Sequence, residues 1–286
     1  MLGDRQIAFI GSGIMGEAMI GGLLAKEVVT AHQIIASDPL ESRRFYIEKT
    51  YGVRRTTSSN TEAIQGVAIV VLSVKPQVLG ALMPTLNRQI DPDALVMSIV
   101  AGATIQSISQ GLSHAPIVRV MPNTPAQVGM SMSVWTASPE VTDTQRSDTR
   151  RILQALGEEM AVPNEQEVDW ATAVSGAGPG FVFLFIEAMI DAGVQMGLSR
   201  TQAQTLTLQT ISGSVELMRQ TNEHPAVLRN RVTSPGGITA AGLYELEKGG
   251  LRTTLCDAVY AAFECTQELS HLNESFFPQR PSSTVI

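Results

Sequence analysis

Cysteine and lysine are both scarce in this chain of 286 residues: two cysteines, Cys256 and Cys265, and four lysines, Lys26, Lys49, Lys75 and Lys248. The cysteines fall in one predicted helix, nine residues apart. At helical rise that separation is about 13 Å, too far for a disulfide. Both are expected to be small buried hydrophobes in a reduced, cytoplasmic protein. With a formal net charge of -7 and no basic stripe, nucleic acid is excluded as an expected partner. No signal peptide is read at the start, where residues 1–6 are polar. The longest uncharged apolar stretch, about Trp170 to Ile186, is broken by G-A-G-P-G and followed by Glu187 and Asp191, so no membrane span is expected. There is no internal repeat.

What is present is a core. Apolar residues make up 44% of the chain, enough for one large domain or two of ordinary size. Ile7-Ala8-Phe9-Ile10 is an unbroken apolar run, as in a strand covered on both faces. G-S-G-I-M-G follows, then a helical pattern from Ile14 to Ala25. Gly11 permits a tight turn, Gly13 lets a pyrophosphate approach the backbone, and Gly16 lets the helix lie close to the strand. The helix N-terminus offers free N–H groups to the phosphates. A second strand, Ile34-Ile35-Ala36, ends at Asp38, 22 residues beyond Gly16. Together these read as dinucleotide binding.

Further strands are expected at 52–56, 67–72, 94–99, 117–121, 130–135 and 158–162, alternating with helices. That is the doubly wound parallel pattern, a Rossmann-type domain over 1–162. Beyond Pro163 nothing reads as a strand, and helices are expected at 181–197, 201–221, 238–248 and 251–272. The fold class is therefore α/β, followed by an all-α C-terminal domain over 163–272 and a loosely held tail over 273–286 containing Phe276 and Phe277. The helix from Phe181 is apolar nearly all round and needs cover on every side, so a partner subunit is expected.

Two other stretches carry chemistry. Val232-Thr233-Ser234-Pro235-Gly236-Gly237-Ile238-Thr239 places hydroxyls and a glycine pair at a helix start. Free N–H groups there suit a carboxylate, and the same composition equally suits an N-cap with a flexible turn. Ser175-Gly176-Ala177-Gly178-Pro179-Gly180 is a glycine-rich break, equally readable as a kink that lets two helices pack closely. Lys75, in S-V-K-P after a strand's carboxyl end, suits cofactor positioning better than proton transfer. Glu223 reads by default as a capping or salt-bridge residue.

The glycine turn, S-V-K-P, M-P-N-T-P, S-G-x-G-P, E-H-P at Glu223 to Pro225 and S-P-G-G-x-T together resemble pyrroline-5-carboxylate reductase, over roughly residues 5–270. The resemblance implies reduction of 1-pyrroline-5-carboxylate to L-proline by NADPH or NADH, in a homodimer of helical domains often assembled into a homodecamer. It implies that Ile10, Gly11, Ser12, Gly13, Ile14, Met15 and Gly16 hold the pyrophosphate. Ser37, Asp38 and Pro39 would meet the adenosine ribose, and Asn60 the adenosine side. Ser73, Val74, Lys75 and Pro76, with Ile99, Val100 and Ala101, would line the nicotinamide half. Ser234, Gly236, Gly237, Ile238 and Thr239 would hold the substrate carboxylate, Thr239 meeting the ring nitrogen; Ser175 and Gly178 would add substrate contacts. Arg231 stands where some members carry an asparagine near the cofactor. Ala177 replaces the usual serine, and Gly180-Phe181 the usual Ala-Tyr, which weakens polar contacts expected of that loop. No metal is implied.

Two other readings are set beside this one. β-Hydroxyacid dehydrogenases share the fold order but use a lysine on the long helix after the Rossmann domain, and no lysine lies between Lys75 and Lys248. A non-catalytic NAD(P)-sensing protein would bind without turnover. Asp38 suits the ribose hydroxyls of NADH; Arg43 and Arg44 would suit a 2′-phosphate if Asp38 turned away, or simply form an exposed helix face. Use of both cofactors is expected.

Overall fold

The computed structural model describes residues 2–275. The chain alternates β1 (Ile7–Ile10), α1 (Ile14–Ala25), β2 (Ile34–Ser37), α2 (Glu41–Tyr51), β3 (Arg55–Thr57), α3 (Asn60–Ala63), β4 (Ile69–Leu72), α4 (Pro76–Leu86), β5 (Leu95–Ser98), α5 (Ile105–Leu112) and β6 (Ile117–Met121). It continues through β7 (Ser131–Ala137), α6 (Asp143–Gln154) and β8 (Gly157–Ala161). Only helices follow: α7 (Glu165–Ala171), α8 (Gly178–Gln195), α9 (Arg200–Thr221), α10 (Pro225–Arg231), α11 (Ile238–Lys248) and α12 (Leu251–Ser275).

The strands form one sheet in the order β3-β2-β1-β4-β5-β6-β7-β8. From β3 to β6 neighbouring strands run parallel, as the alternation requires. β7 then pairs antiparallel with β6, and β8 parallel with β7. This departs from the wholly parallel sheet read from the sequence. The connection after β6, positions 122–130, holds only a 3-10 turn, Thr124–Val128. A parallel return needs a longer crossover, normally a helix, so the chain turns back beside the strand it has just left.

Alternate side chains within each apolar strand point to opposite faces. Ile7 and Phe9 join Met19, Ile20 and Leu23 of α1 and Ile152 of α6 on one side. Ala8 and Ile10 join Leu79, Leu82 and Met83 of α4 and Ile108 of α5 on the other. Both faces are thus covered, which is why these strands carry no polar alternation. Arg119 on β6 is 3% exposed, and its charge is met by Glu165 at 3.0 Å and Asp169 at 2.5 Å, both on α7. The same Glu165 carboxylate accepts the Ile105 N–H at the start of α5.

The chain divides into two compact units. One runs to Ala177 and resumes at Ala262; the other is Gly178–Ala261. In the first, Thr266 and Ser270 of α12 are buried, and Leu269 packs against Gly102 so closely that an added Cβ would meet it at 2.8 Å. In the second, α8 and α9 pack on each other; Gly193 approaches Ala203, and Ser199 caps α9 in a capping box with Gln202. Much of its apolar surface is bare: Phe183 is 62% exposed and Leu184 66%. Within the helical run Glu165–Gln195 an 18-residue window reaches a mean hydropathy of 1.7, so by length and composition alone the run is long and apolar enough to cross a membrane.

The cysteines correct the reading of them as buried. Cys256 and Cys265 are both exposed, because among the described residues nothing covers their faces of α12. The tail read over 273–286 lies, from position 276 on, outside the described residues.

Candidate functional site

Strand order reverses at β1, which has β2 on one side and β4 on the other. In open α/β sheets ligands bind outside the carboxyl ends of the strands at such a point. The glycine turn leaves β1 here. Gly11 has φ +96°, and a Cβ on it would lie 2.8 Å from the Ser73 carbonyl oxygen at the end of β4. A Cβ on Gly16 would lie 2.5 Å from the Gly11 carbonyl oxygen. Only glycine lets helix, turn and β4 approach so closely. Ser73 completes the brace by donating its hydroxyl to the Gly11 carbonyl at 2.6 Å.

Gly13 is different. A Cβ there would meet nothing within 4 Å, and Gly13 is the N-cap of α1 with no side chain capping the helix. The space above the turn is therefore open and faced by first-turn N–H groups, the arrangement that receives a pyrophosphate. These residues fit a dinucleotide.

Around the turn the structure gathers most of the cofactor residues expected from the sequence. The Gly11 N–H donates to the Ser37 carbonyl at the end of β2. Ser37 donates its hydroxyl to Asn60 Oδ1 at 2.6 Å, bringing the start of α3 to the same edge. Pro39 follows Asp38 at the exit of β2. Ile99, Val100 and Ala101 leave β5, with the Ile99 N–H on the Leu72 carbonyl of β4. Lys75 is the exposed N-cap of α4, and Pro76 occupies its first turn, where a missing N–H costs nothing. Ile14 is 68% exposed at the start of α1.

Asp38 is tied down rather than free. Its Oδ2 accepts from the Ser12 N–H at 3.0 Å and the Ser12 hydroxyl at 3.1 Å, and its Oδ1 from the Leu40 N–H at 3.0 Å. Arg43 and Arg44 are half-buried and engaged, not an exposed helix face. Arg43 donates from Nε to the Ser12 carbonyl at 3.0 Å, pairs with Glu17 at 2.7 Å and lies over the Tyr46 ring. Arg44 donates to the Asp38 and Pro39 carbonyls. Burial pushes the Glu17 carboxyl up, but hydrogen bonds from Arg43 and Tyr51 outweigh it and hold it below its ordinary value. Burial and the Glu17 carboxylate push the Tyr51 hydroxyl up to about 12. The latch of Asp38 on Ser12 and the clasp of Arg43 on the same residue were not legible in the sequence.

In the first unit, Ser175 lies in a π-helical turn, Thr172–Gly176, where the sequence suggested a kink. Asn123, from M-P-N-T-P, donates its Nδ2 to the Ser175 carbonyl and hydroxyl oxygens, both at 3.2 Å. Sequence reasoning gave Asn123 no role.

In the second unit, Gly178 opens α8 and Ser234 to Thr239 form the turn into α11. Gly236 has φ +71°, and the Gly237 N–H donates to the Ser234 carbonyl at 3.0 Å. Gly237 is the N-cap of α11, and no side chain caps it. Ser234 and Thr239 are thus not spent as caps. A Cβ on Gly237 would lie 2.4 Å from Ser234 Oγ and 3.1 Å from the Ser234 carbonyl oxygen, so a larger residue there would displace the Ser234 hydroxyl. Ile238 is 93% exposed beside it. Among the described residues no hydrogen bond occupies the Thr239 hydroxyl. The group as a whole is an uncapped helix N-terminus with two hydroxyls, suited to an anion. Arg231 pairs both guanidinium N–H groups with the Glu223 carboxylate, which accounts for Glu223 as a salt-bridge residue.

Comparison with known proteins agrees across nearly the whole chain. A family model described as pyrroline-5-carboxylate reductase dimerisation matches residues 165–269, and one described as NADP oxidoreductase coenzyme F420-dependent matches residues 6–102. The chain is 43% identical to a pyrroline-5-carboxylate reductase of Synechocystis sp., covering 92% of this chain and 98% of that protein. It is 40% identical to one of Pseudomonas aeruginosa, covering 93% and 97%. A crystal structure of Plasmodium falciparum pyrroline carboxylate reductase with NADP bound superposes with TM-score 0.86 at 34% identity, covering 93% of this chain and 98% of that one. With such identity over more than nine-tenths of its length, the chain belongs to the pyrroline-5-carboxylate reductase family.

Proposed function

We propose that the chain reduces 1-pyrroline-5-carboxylate to L-proline with NADPH or NADH, the last step of proline biosynthesis. The observation that carries this reading is the turn Ser234 to Thr239: an uncapped helix N-terminus with hydroxyls and no acid–base pair. The protonated cyclic imine is already a strong electrophile. The protein's task is then to hold a carboxylate, align the ring and exclude water, so orientation carries much of the acceleration. A bound nicotinamide cofactor supplies the hydride.

Ile10 to Gly16 hold the pyrophosphate. Ser37, Asp38, Pro39 and Asn60 serve the adenosine side, and Arg231 is a further cofactor contact. Ser73 to Pro76 and Ile99 to Ala101 line the nicotinamide half. Ser234, Gly236, Gly237 and Ile238 hold the substrate carboxylate through N–H and hydroxyl groups, Ser175 and Gly178 add contacts, and the Thr239 hydroxyl meets the ring nitrogen as it becomes an amine. The division into a dinucleotide-binding domain over 1–162 and a helical domain over 163–272 is supported by the family models, which fall on either side of it.

The bare apolar faces of the second unit fit a second copy of the chain. Covering a large apolar side chain contributes roughly 1.5–3 kcal/mol, and Phe183, Leu184 and Phe185 are each at least 45% exposed. Glu187 and Asp191 interrupt the apolar run of α8, which suits a partner helix better than lipid. We take the protein as a cytoplasmic homodimer, assembled further into a homodecamer, with no membrane or nucleic-acid partner. Sedimentation without detergent tests this; a monodisperse monomer refutes it.

The activity is tested by steady-state oxidation of NADPH and NADH with 1-pyrroline-5-carboxylate. Tight cofactor binding without turnover would favour a sensor instead. Thr239→Val is expected to lower kcat/KM for the imine and leave cofactor affinity intact. Unchanged kcat/KM would remove Thr239 from the mechanism.

A further inference from the structure

Asn123 follows β6 in the M-P-N-T-P stretch, for which the proposed chemistry has no use. Its amide is held at both ends. Oδ1 accepts the Met132 backbone N–H at 3.0 Å and the Ser131 hydroxyl at 3.2 Å. Nδ2 faces the carbonyl and hydroxyl oxygens of Ser175. A backbone N–H can only donate, so Met132 dictates which way the amide points: oxygen toward β7, nitrogen toward Ser175. Nδ2 can only donate as well. Ser175 Oγ must therefore accept from Asn123, and its own proton is directed elsewhere. No described residue accepts that proton. The turn that carries Ser175 is also held from the side, since a Cβ on Gly176 would lie 2.7 Å from Met121 Cε. π-Helical turns of this kind occur often at functional sites.

We propose that Asn123 is a positioning residue that sets the polarity of Ser175, presenting its hydroxyl as a hydrogen-bond donor to the carboxylate of the substrate. This rests on the reading of Ser175 as a substrate contact. The relay runs in one direction, from the Met132 N–H through the Asn123 amide to Ser175 and on to the anion. A carboxylate at position 123 would still accept from Met132 and Ser131. Its other oxygen would now accept the Ser175 proton, leaving only lone pairs for the substrate. Reversal of polarity is worse than absence of the hydroxyl, because it sets oxygen against oxygen.

The test compares Asn123→Asp, Ser175→Ala and the double variant of the full chain by kcat/KM for 1-pyrroline-5-carboxylate, with cofactor Kd from NADH fluorescence and Tm as companions. Loss of one charge-assisted hydrogen bond corresponds to about tenfold or somewhat more. Ser175→Ala should fall by about that factor. Asn123→Asp should fall further, and the double variant should return to the level of Ser175→Ala, all at unchanged cofactor Kd. A double variant as poor as Asn123→Asp would mean that the turn has moved and would overturn the polarity relay. Loss in Ser175→Ala with none in Asn123→Asp would overturn the role of Asn123 while keeping Ser175 in the site. An unaffected Ser175→Ala would remove Ser175 from the site, and the inference with it. A loss confined to Tm or to cofactor Kd would also refute it.

Discussion

Asp38 should make this enzyme favour NADH, and Asp38→Asn should relax that preference. The carboxylate is only 8% exposed and is gripped by Ser12 and Leu40. It cannot turn away without abandoning three hydrogen bonds. The two cations that would receive a 2′-phosphate are committed: Arg43 to Ser12 and Glu17, Arg44 to backbone carbonyls. A 2′-phosphate would thus meet a fixed like charge, with both of these arginines already engaged. Two unit charges at 4 Å repel by about 1 kcal/mol in water and about 4 kcal/mol at an effective dielectric constant near 20. For a phosphate at the rim of the site the lower half of that range applies, about 1.5–2 kcal/mol. Removing the charge with the shape kept should therefore raise kcat/KM for NADPH by about tenfold or more. The NADH value should fall severalfold, because a charge-assisted hydrogen bond to the ribose weakens. The assay is kcat/KM for each cofactor at saturating imine, at low and high salt, with Tm to monitor the lost latch on Ser12. High salt should narrow the wild-type preference. A wild type that strongly prefers NADPH, or an Asp38→Asn variant with an unchanged ratio, would show that Asp38 does not face the ribose.

Glycines of the first turn should separate binding from folding. Gly13→Ala adds a Cβ into open space and should keep Tm while weakening cofactor Kd at least tenfold, about 1.4 kcal/mol; Gly16→Ala should lower Tm, because its Cβ would lie 2.5 Å from the Gly11 carbonyl oxygen. His114 gives a pH prediction: it is buried, with a ring nitrogen 2.7 Å from the Ala94 carbonyl, and burial holds it below its ordinary value of 6.5. The unfolded chain therefore takes up the proton first as pH falls, so the stability from neutral His114 is complete above about pH 6.5 and drains away below it. Tm measured from pH 8 to pH 5 should decline less in His114→Gln than in wild type, and parallel curves would refute the assignment.

Much of the architecture could be read from hydrophobicity alone. The uncharged runs of β1, β4 and β5 announce strands covered on both faces, and glycines at 11, 13 and 16 announce a turn that must be small and open. The direction of β7 could not be read. Ser131 to Ala137 looks the same whichever way it runs; the short link after β6 decides it. The cysteines misled for a related reason. Burial of Cys256 and Cys265 depends on what covers α12, and apolar patterning cannot distinguish cover by the same chain from cover by another.

The site divides along the same line. Glycine positions are legible because their requirement is local: a positive φ or the room that a missing Cβ leaves. The polar contacts are not, because each joins residues far apart in sequence. Asp38 reaches Ser12 across 26 positions, Arg43 reaches Ser12 across 31, and Asn123 reaches Ser175 across 52. Any of these side chains had many possible partners, and only the meeting of strand ends selects one. The chemistry deepens the difficulty. Both ligands expected here present anions, a pyrophosphate and a carboxylate, and the chain offers each an uncapped helix N-terminus, at Gly13 and at Gly237. The backbone N–H groups suited to that work have no letter in the sequence. A reaction whose electrophile needs no strong acid or base leaves the side chains chiefly the task of orientation. Its polar positioning residues, Asn123 among them, are then ordinary amides and hydroxyls, distinguished only by the direction in which their protons point.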